Sequence, residues 1–266
     1  MIEISFMSAN WVARQVGYAM SEGWGQGDRA TNAYFEPLET FRERFAAILA
    51  DVKRLGFRKL DLWTGHLNWK WASDVHLSIA QELLDAQSIS ISSYAGGFGA
   101  TAEEFERTCR LARALKIGIL GGSSEYLLQD KKGFSALLHR YELKFAYENH
   151  PEKNPEEILQ LISGTDEESV GVCLDTGWLG THGYDAAKAI REVRDRLFFV
   201  HLKDVKSPGG HVTCRYGDGC VPVRGCVETL KEIKYFGGIS IEHEPEDHSP
   251  DQEVSESRAM LEQWLA

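Results

Sequence analysis

Short apolar runs alternate with amphipathic stretches along the whole chain. The apolar runs are rich in Ile, Val, Phe and Leu, which is typical of strands that are covered on both faces. Eight such runs are found, at Ile2–Met7, Phe57–Trp63, Ser88–Tyr94, Lys116–Gly121, Leu143–Glu148, Ser169–Asp175, Leu197–Lys203 and Gly238–Glu242. The pattern therefore predicts eight buried strands.

Helical start signals lie between these strands. Asn154 followed by Pro155 predicts an N-cap with proline at the first helical position, and Ser249 with the proline after it repeats this pattern before the last helix. Thr101 and Glu104 have the spacing of a capping box. Other helices are predicted at Pro37–Leu55, Asp74–Ala86, Lys131–Arg140, Tyr184–Asp195 and Pro222–Tyr235.

A strand followed by a helix, repeated eight times, predicts parallel strands joined by right-handed crossovers. The simplest such architecture is a single-domain (β/α)8 TIM barrel over residues 1–266, and a doubly wound open sheet is the alternative. The length of 266 residues is close to the roughly 250 of a typical barrel, and no Ser-, Pro- or Gly-rich linker divides the chain. We therefore expect one domain.

Two predicted loops are longer than a connection requires. They are Ser8–Glu36 and Asp204–Val221, and both follow strands. In a barrel they would lie on the C-terminal face, where long loops usually carry function. Their glycines have neither the phosphate-binding nor the dinucleotide-binding spacing, so neither loop predicts a nucleotide site.

Composition and charge narrow the range of partners. The net charge is −11 without any basic cluster, which opposes nucleic acid binding. The N-terminus lacks the pattern of a signal peptide, and no apolar run approaches the ~20 residues of a membrane span. Five cysteines without a paired zinc-binding pattern suggest reduced thiols. We expect a cytoplasmic protein with no nucleic acid or membrane partner.

Metal-capable side chains mark the ends of the last four predicted strands. They lie in the segments Tyr147–Pro151, Leu174–Trp178, Val200–Asp204 and Ile241–Pro245. A single acid at a strand end would indicate a helix N-cap or an ion pair. Four such groups at equivalent positions crowd negative charge at the barrel mouth, where it requires a cation or protons. The pattern therefore predicts a metal site.

Three carboxylates and one imidazole, without a thiolate, suit a hard or borderline divalent ion. We expect one Mn²⁺ ion, with Mg²⁺, Co²⁺ and Zn²⁺ as alternatives. Three anionic ligands leave a doubly charged ion with a net charge near −1, which disfavours phosphate groups at the metal. Neutral polyols and ketoses can still chelate such an ion through a carbonyl and an adjacent hydroxyl.

The segments around these four residues resemble a known family. Tyr147–Pro151, Cys173–Trp178, Phe199–Asp204 and Ile239–Glu244 are similar to the sugar phosphate isomerase/epimerase family of xylose-isomerase-like TIM barrels. That family includes ketose 3-epimerases, inosose dehydratase and the catalytic subunits that cleave 3-oxo-glycosides. The resemblance implies that Glu148, Asp175, His201 and Glu242 hold the metal. It also implies acid/base roles for Glu148 and Glu242.

The chain departs from this family after the sixth strand. Many members carry a substrate-binding His three residues after the strand-six Asp, where this chain has Trp178. Either His182 takes over that contact, or the pocket has exchanged a polar contact for an aromatic wall. The departure weakens the case for a simple ketose epimerase.

Other residues near the predicted mouth have both a functional and a structural interpretation. His150 shares a strand face with Glu148 and could shuttle a proton or support its neighbour. Trp63 could stack on a sugar or aryl face or pack beneath a loop. Lys203 could bind a substrate oxygen or pair with Asp204 or Glu244. Arg215 could reach the substrate or remain solvated.

The leading functional hypothesis is proton abstraction next to a carbonyl of a keto-sugar or 3-oxo-glycoside. The metal would polarise the carbonyl, and a glutamate or His150 would remove the adjacent proton. The tryptophans suggest a wide aromatic pocket and favour a lyase that expels a β-leaving group. An isomerase or epimerase with the same first step is the alternative, and a non-catalytic sugar-binding subunit is a third. A homo-oligomer or a second subunit that completes the pocket is compatible with all three.

Overall fold

A closed barrel of eight parallel strands forms the centre of the computed structural model, which describes residues 2–266. The strands pair in chain order, and the first pairs with the last to close the barrel. The predicted (β/α)8 fold is confirmed. The barrel strands are β1 (Glu3–Met7), β2 (Lys59–Trp63), β3 (Ser90–Gly97), β4 (Ile119–Ser123), β5 (Lys144–Glu148), β6 (Val170–Asp175), β7 (Leu197–Leu202) and β10 (Gly238–Ile241).

Within residues 2–266, eleven α-helices surround and cap the barrel. Every helix for which both ends were predicted is present, and its observed ends lie within three residues of the predicted ends. Helix Lys131–Arg140 has the predicted bounds. Among residues 2–266, no helix combines the length and the apolar character needed to cross a bilayer. The helices are α1 (Trp24–Phe35), α2 (Leu38–Arg54), α3 (Asp74–Gln87), α4 (Ala102–Ala114), α5 (Glu125–Gln129), α6 (Lys131–Arg140), α7 (Pro155–Leu161), α8 (Thr176–Thr181), α9 (Ala186–Glu192), α10 (Val223–Glu232) and α11 (Asp251–Leu265).

One of the three predicted helix starts forms as predicted, and a second forms in part. The Asn154 side chain accepts a hydrogen bond from the amide of Glu157, and proline occupies the first turn. Thr101 caps α4 through the amide of Glu104, but the Glu104 side chain accepts from the amide of Ala100 and not from that of Thr101, so the capping box is incomplete. The predicted cap at Ser249 is wrong, because α11 begins one residue later than the pattern implies and its N-cap is a proline.

The two segments that were predicted as long loops contain helices and strands, which their glycine-rich sequences did not indicate. The first folds into two short 3-10 turns followed by α1. The second forms an antiparallel hairpin of β8 (Asp204–Ser207) and β9 (Gly210–Cys214), in which Gly209 adopts a φ of +86°. Both segments contribute side chains to a cavity at the C-terminal mouth of the barrel.

Strand β3 extends beyond its predicted end at Tyr94 because two glycines permit a close approach. Gly96 pairs with Gly122 of β4 and both have positive φ. A Cβ at Gly122 would lie 2.0 Å from the carbonyl oxygen of Gly96, so no side chain fits between them. The glycines leave this side of the mouth open, and Gly96 lines the cavity.

A polar layer fills the barrel interior beneath the mouth. Asp61 on β2 is completely buried and accepts hydrogen bonds from the hydroxyls of Ser93 and Ser240. Ser240 also lies 2.9 Å from the hydroxyl of Ser5. Buried polar groups are stable only when they are hydrogen-bonded. This layer therefore supplies a fixed acceptor at the floor of the mouth.

Candidate active site

Four side chains converge at the carboxyl ends of neighbouring strands. Glu148, Asp175 and His201 lie at the ends of β5, β6 and β7, and Glu242 directly follows β10. Their ligand-type atoms all lie within 4.8 Å of one another, and all four side chains are buried. The structure thus brings together the four residues that the sequence predicts as metal ligands.

Asp175 combines two roles through its two carboxylate oxygens. Oδ1 caps α8 by accepting hydrogen bonds from the amides of Gly177 and Trp178, at 2.7 and 3.0 Å. These bonds fix the carboxylate orientation and leave Oδ2 directed at the cluster. The structural role of a strand-end acid is therefore present, but it engages only half of the carboxylate.

Two asparagines hold the backbone next to the ligands. Asn149 exchanges two hydrogen bonds with the backbone of Asp175, at 2.9 and 3.1 Å. Asn10 bonds the carbonyl of Ile241 and the amide of His243, which are the two neighbours of Glu242. Neither asparagine was identified from the sequence, because their partners lie on other strands.

His201 lies at the centre of the cluster. Its Nδ1 lies 2.5 Å from Glu148 Oε1 and 3.2 Å from Glu242 Oε2. Its Nε2 lies 3.0 Å from Asp61 Oδ2, in the polar layer below. An acceptor at one ring nitrogen fixes the tautomer that leaves the other nitrogen free for a metal. Asp61 therefore orients His201. The only sequence signal for Asp61 was strand alternation, which places its side chain on the same face of β2 as Trp63.

The Lys203 ammonium group is buried among three carboxylates. It lies 3.1 Å from Asp175 Oδ2, 3.0 Å from Glu242 Oε1 and 3.1 Å from Glu244 Oε2. The predicted pairing with Glu244 is present. The pairing with Asp204 is absent, because that carboxylate instead accepts amide hydrogen bonds from its own loop.

Burial and mutual charge shift the pKa values of these groups in different directions. Burial opposes ionisation of Glu148, but the nearby His201 and His150 outweigh it and lower the Glu148 pKa to about 2. Burial raises the pKa of Glu242 well above its usual range, although Lys203 opposes the shift. Burial disfavours the charged form of His201, but the surrounding carboxylates prevail and raise its pKa well above the ordinary value.

Two buried oxygens in the cluster indicate that the donor set fits a cation. Asp175 Oδ2 and Glu242 Oε2 lie near Lys203 and His201, respectively, but without the geometry of a hydrogen bond. Within residues 2–266 neither oxygen has a hydrogen-bond partner. Buried oxygens of this kind carry a desolvation cost that a bound ion would offset. Three carboxylates and an imidazole suit Mn²⁺ or a similar divalent ion.

A cavity of about 940 Å³ lies above the cluster, and one of its walls is apolar. Met7, Met20, Trp24 and Trp63 line this wall. Trp24 from α1 packs edge-on against Trp63 with ring centroids 5.2 Å apart, and its indole nitrogen donates to Glu244 Oε1 at 3.1 Å. The predicted pocket position of Trp63 is thus observed, and α1 covers part of the mouth.

The opposite wall carries aromatic and basic groups. Trp178 stacks on His211 of the hairpin with centroids 3.8 Å apart, and both line the cavity with His150. His182 is not among the lining residues and instead hydrogen-bonds the carbonyl of His150 at 3.1 Å. Of the two sequence alternatives, the structure therefore favours the aromatic wall. His211 was not identified from the sequence, because its strand was predicted as a loop.

The predicted substrate contact of Arg215 is not supported by its position. Its guanidinium group pairs with Asp218 at 2.9 Å and with Glu256 at 3.2 Å, and the residue does not line the cavity. Asp218, three residues later, holds the Arg215 side chain within the same turn. The solvated alternative describes Arg215 better.

Comparison with known proteins agrees with the barrel fold. Residues 49–264 match the family model described as xylose isomerase-like TIM barrel. A mannonate dehydratase of Oceanobacillus iheyensis is 31% identical over 96 residues, which cover 34% of this chain and 28% of that protein. An inosose dehydratase of Geobacillus kaustophilus is 31% identical over 105 residues, 34% of each chain. The matches thus span about a third of these relatives.

The structural likeness extends over nearly the whole chain. A solved structure described as a D-tagatose 3-epimerase-like protein superposes with a TM-score of 0.71, covering 99% of this chain and 97% of that one. The two sequences are only 16% identical. This likeness confirms the barrel and its strand order.

Proposed function

Because the chain belongs to the xylose isomerase-like TIM barrel family, we propose that it is a divalent-metal-dependent enzyme that acts on a keto-sugar or a 3-oxo-glycoside. The proposed reaction removes the proton next to the carbonyl and then expels a β-leaving group. The observation that carries this proposal is the convergence of four buried ligand groups at the floor of a large cavity. Mn²⁺ is the proposed ion.

Glu148, Asp175, His201 and Glu242 would hold the ion, and the bound ion would polarise a substrate carbonyl and so acidify the adjacent C–H. Glu148 is the candidate base, because its low pKa keeps the carboxylate ionised at neutral pH. His150 Nε2 lies 3.9 Å from Glu148 Oε2, and its half-exposed ring lines the cavity. It is therefore placed to pass a proton between Glu148 and the substrate side.

Lys203 supplies a second positive charge at the floor. Burial opposes its charged form, but Asp175 and Glu242 raise its pKa well above the ordinary value, so the ammonium stays protonated. Nζ can donate a hydrogen bond to a substrate oxygen that gains negative charge when the proton leaves. Such preorganised donors are a large term in catalysis.

The shape of the cavity favours elimination from a bulky substrate. The Trp24–Trp63 wall and the Trp178–His211 stack offer ring faces and edges for an apolar leaving group. The two curated relatives described above are named dehydratases, and dehydration is a β-elimination. These observations support a lyase.

An isomerase or epimerase is the second candidate. It shares the first step and returns the proton to carbon. The observation that favours it is the presence of two carboxylates, Glu148 and Glu242, which both lie close to Nδ1 of His201. Two acid/base groups around one carbon are what removal and return of a proton require. A non-catalytic binding subunit would have no need for the complete ligand set.

Product analysis separates these candidates. The Mn²⁺-loaded protein is incubated with a panel of ketoses and 3-oxo-glycosides, and the mixtures are followed by NMR. A lyase yields an unsaturated carbonyl product and a free leaving group, whereas an epimerase yields a mixture of intact ketoses. Glu148→Gln should abolish turnover, and Glu246→Gln, an exposed acid at the cavity rim, should not. Absence of any product across the panel would favour the binding subunit.

We also propose a reducing, cytoplasmic location for the protein. All five cysteines have free thiols, and four of them are buried. A chain exposed to an oxidising compartment usually pairs its cysteines.

A further inference from the structure

A second group of metal-capable side chains lies outside the four-residue cluster. His243 directly follows Glu242, His248 lies in the loop after β10, and Glu253 lies in the first turn of α11. The Nε2 atoms of His243 and His248 lie 2.5 and 2.9 Å from the same oxygen, Oε2 of Glu253. The three ligand-type atoms all lie within 4.8 Å of one another.

The other nitrogen of each imidazole is engaged by a separate oxygen. His243 Nδ1 lies 2.9 Å from the hydroxyl of Thr213 in the hairpin, and His248 Nδ1 lies 2.6 Å from Asp247 Oδ1. An oxygen partner at Nδ1 selects the tautomer whose Nε2 is free to bind a metal. Both rings are thus oriented through Nδ1, and both Nε2 atoms point at the same carboxylate oxygen of Glu253.

We propose that His243, His248 and Glu253 form a second divalent-metal site, with Zn²⁺ as the ion it suits best. Two imidazoles and one carboxylate are a three-residue ligand set that zinc uses when its fourth position is open. His243 is buried, whereas the His248 side chain is 51% exposed and borders the cavity. The exposure of His248 gives an ion access from the cavity, and water or a substrate oxygen would take the fourth position. No ligand is shared with the four-residue cluster.

An ion at this position would connect three parts of the mouth. His243 lies two residues after the end of β10, Glu253 belongs to α11, and Thr213 links the histidine to the hairpin. Glu242 and Glu244 flank His243 in the chain, and both contact Lys203. The second site would thus fix the segment that carries one ligand of the first site and the carboxylate partner of its lysine.

Zinc titration in a background without the first site tests this proposal. The double variant Glu148→Gln/Asp175→Asn removes two ligands of the first cluster, and circular dichroism checks its fold. After treatment with EDTA and dialysis, calorimetric titration with ZnCl2 should give one ion per chain. Adding His248→Ala or Glu253→Gln should lower the affinity at least tenfold. Adding His139→Ala, which removes a histidine–carboxylate pair of the outer surface, should leave it unchanged.

A melting experiment separates a metal site from a set of hydrogen bonds. In the same background, Zn²⁺ should raise the melting temperature above its value in EDTA, and His248→Ala should abolish this difference. If the three residues only hydrogen-bond one another, His248→Ala will lower both melting temperatures equally. That outcome, or a folded double variant that binds no zinc, would overturn the proposal. Failure of the first site to bind Mn²⁺ would leave these results unaffected, because the first site is already disabled.

Discussion

Lys203 places a buried positive charge in the candidate active site. Its ammonium group lies 3.0–3.1 Å from oxygens of Asp175, Glu242 and Glu244, and it is almost completely buried. At such a separation, opposite unit charges attract by roughly 5 kcal/mol at an effective dielectric constant of 20. The same charge repels a divalent ion bound to the neighbouring oxygens. Lys203 should therefore stabilise the metal-free protein and weaken the binding of the proposed ion.

Replacement of Lys203 by methionine should separate these two effects. Lys203→Met leaves buried carboxylates without a partner, which should destabilise the metal-free protein by about 3–5 kcal/mol. Removal of the repulsion should tighten Mn²⁺ binding at least tenfold. Melting curves in EDTA and calorimetric titration with MnCl2 measure the two changes. Lys206→Met, at the exposed rim of the cavity, is the control, and weaker Mn²⁺ binding in Lys203→Met would contradict this account.

The raised pKa values of His201 and Glu242 predict that binding of the proposed ion depends on pH. Each group must lose its proton to act as a ligand, so the affinity for Mn²⁺ should rise with pH. His201 has the opposite effect on the metal-free protein. Because its pKa is raised by folding, its contribution to stability is complete below about pH 6.5 and is lost as the pH rises through the folded-state pKa.

Calorimetric titration with MnCl2 at pH 6, 7 and 8 measures this dependence. Repeating each titration in buffers of different ionisation enthalpy counts the protons released. We expect net proton release and an affinity that increases at each step. An affinity that is constant over this range would mean that neither group is protonated in the metal-free protein.

At the level of elements, the segments that follow strands shape the cavity. Helix α8, which is capped by Asp175, presents Trp178; the hairpin presents His211 against it, and α1 presents Trp24 from the other side. Apolar periodicity predicted all eight barrel strands, because burial on both faces leaves a strong signal in the sequence. It did not predict α1, α8 or the hairpin, whose glycine-rich and polar sequences match loops equally well. His211 was missed for this reason.

Substitution of Trp178 tests whether the aromatic wall contacts substrate. Trp178→Ala should weaken binding of aryl-bearing or bulky substrates by about 1–3 kcal/mol, because the ring's contact surface is lost. Small keto-sugars should be affected less, and metal content should not change. The measurement is the ratio of kcat/KM values on bulky and small substrates, beside the melting temperature. Trp264→Ala, at the end of α11, is the control, and an unchanged ratio with a lowered melting temperature would assign Trp178 to packing alone.

At the scale of the whole molecule, barrel closure creates the site. Asp61 and His201 are 140 residues apart in the chain, yet they form a hydrogen bond across the barrel. The convergence of the four proposed ligands could be predicted because equivalent strand ends must meet at one mouth. Asp61 and the two clamping asparagines could not, because their roles depend on which strands face each other after closure. For Arg215 the loop position was correct, but the expected substrate contact is not supported, because the side chain pairs with Asp218 in the same turn.

Diffraction from crystals grown with MnCl2, with data collected at the manganese absorption edge, tests the central claim most directly. The account predicts an anomalous peak within direct bonding distance, about 2.0–2.3 Å, of Glu148, Asp175, His201 and Glu242. Lys203 should keep its contact with Glu244 and lie farther from Asp175 than the 3.1 Å of the present structure. A well-ordered mouth with no manganese among these four side chains, at saturating MnCl2, would contradict the account.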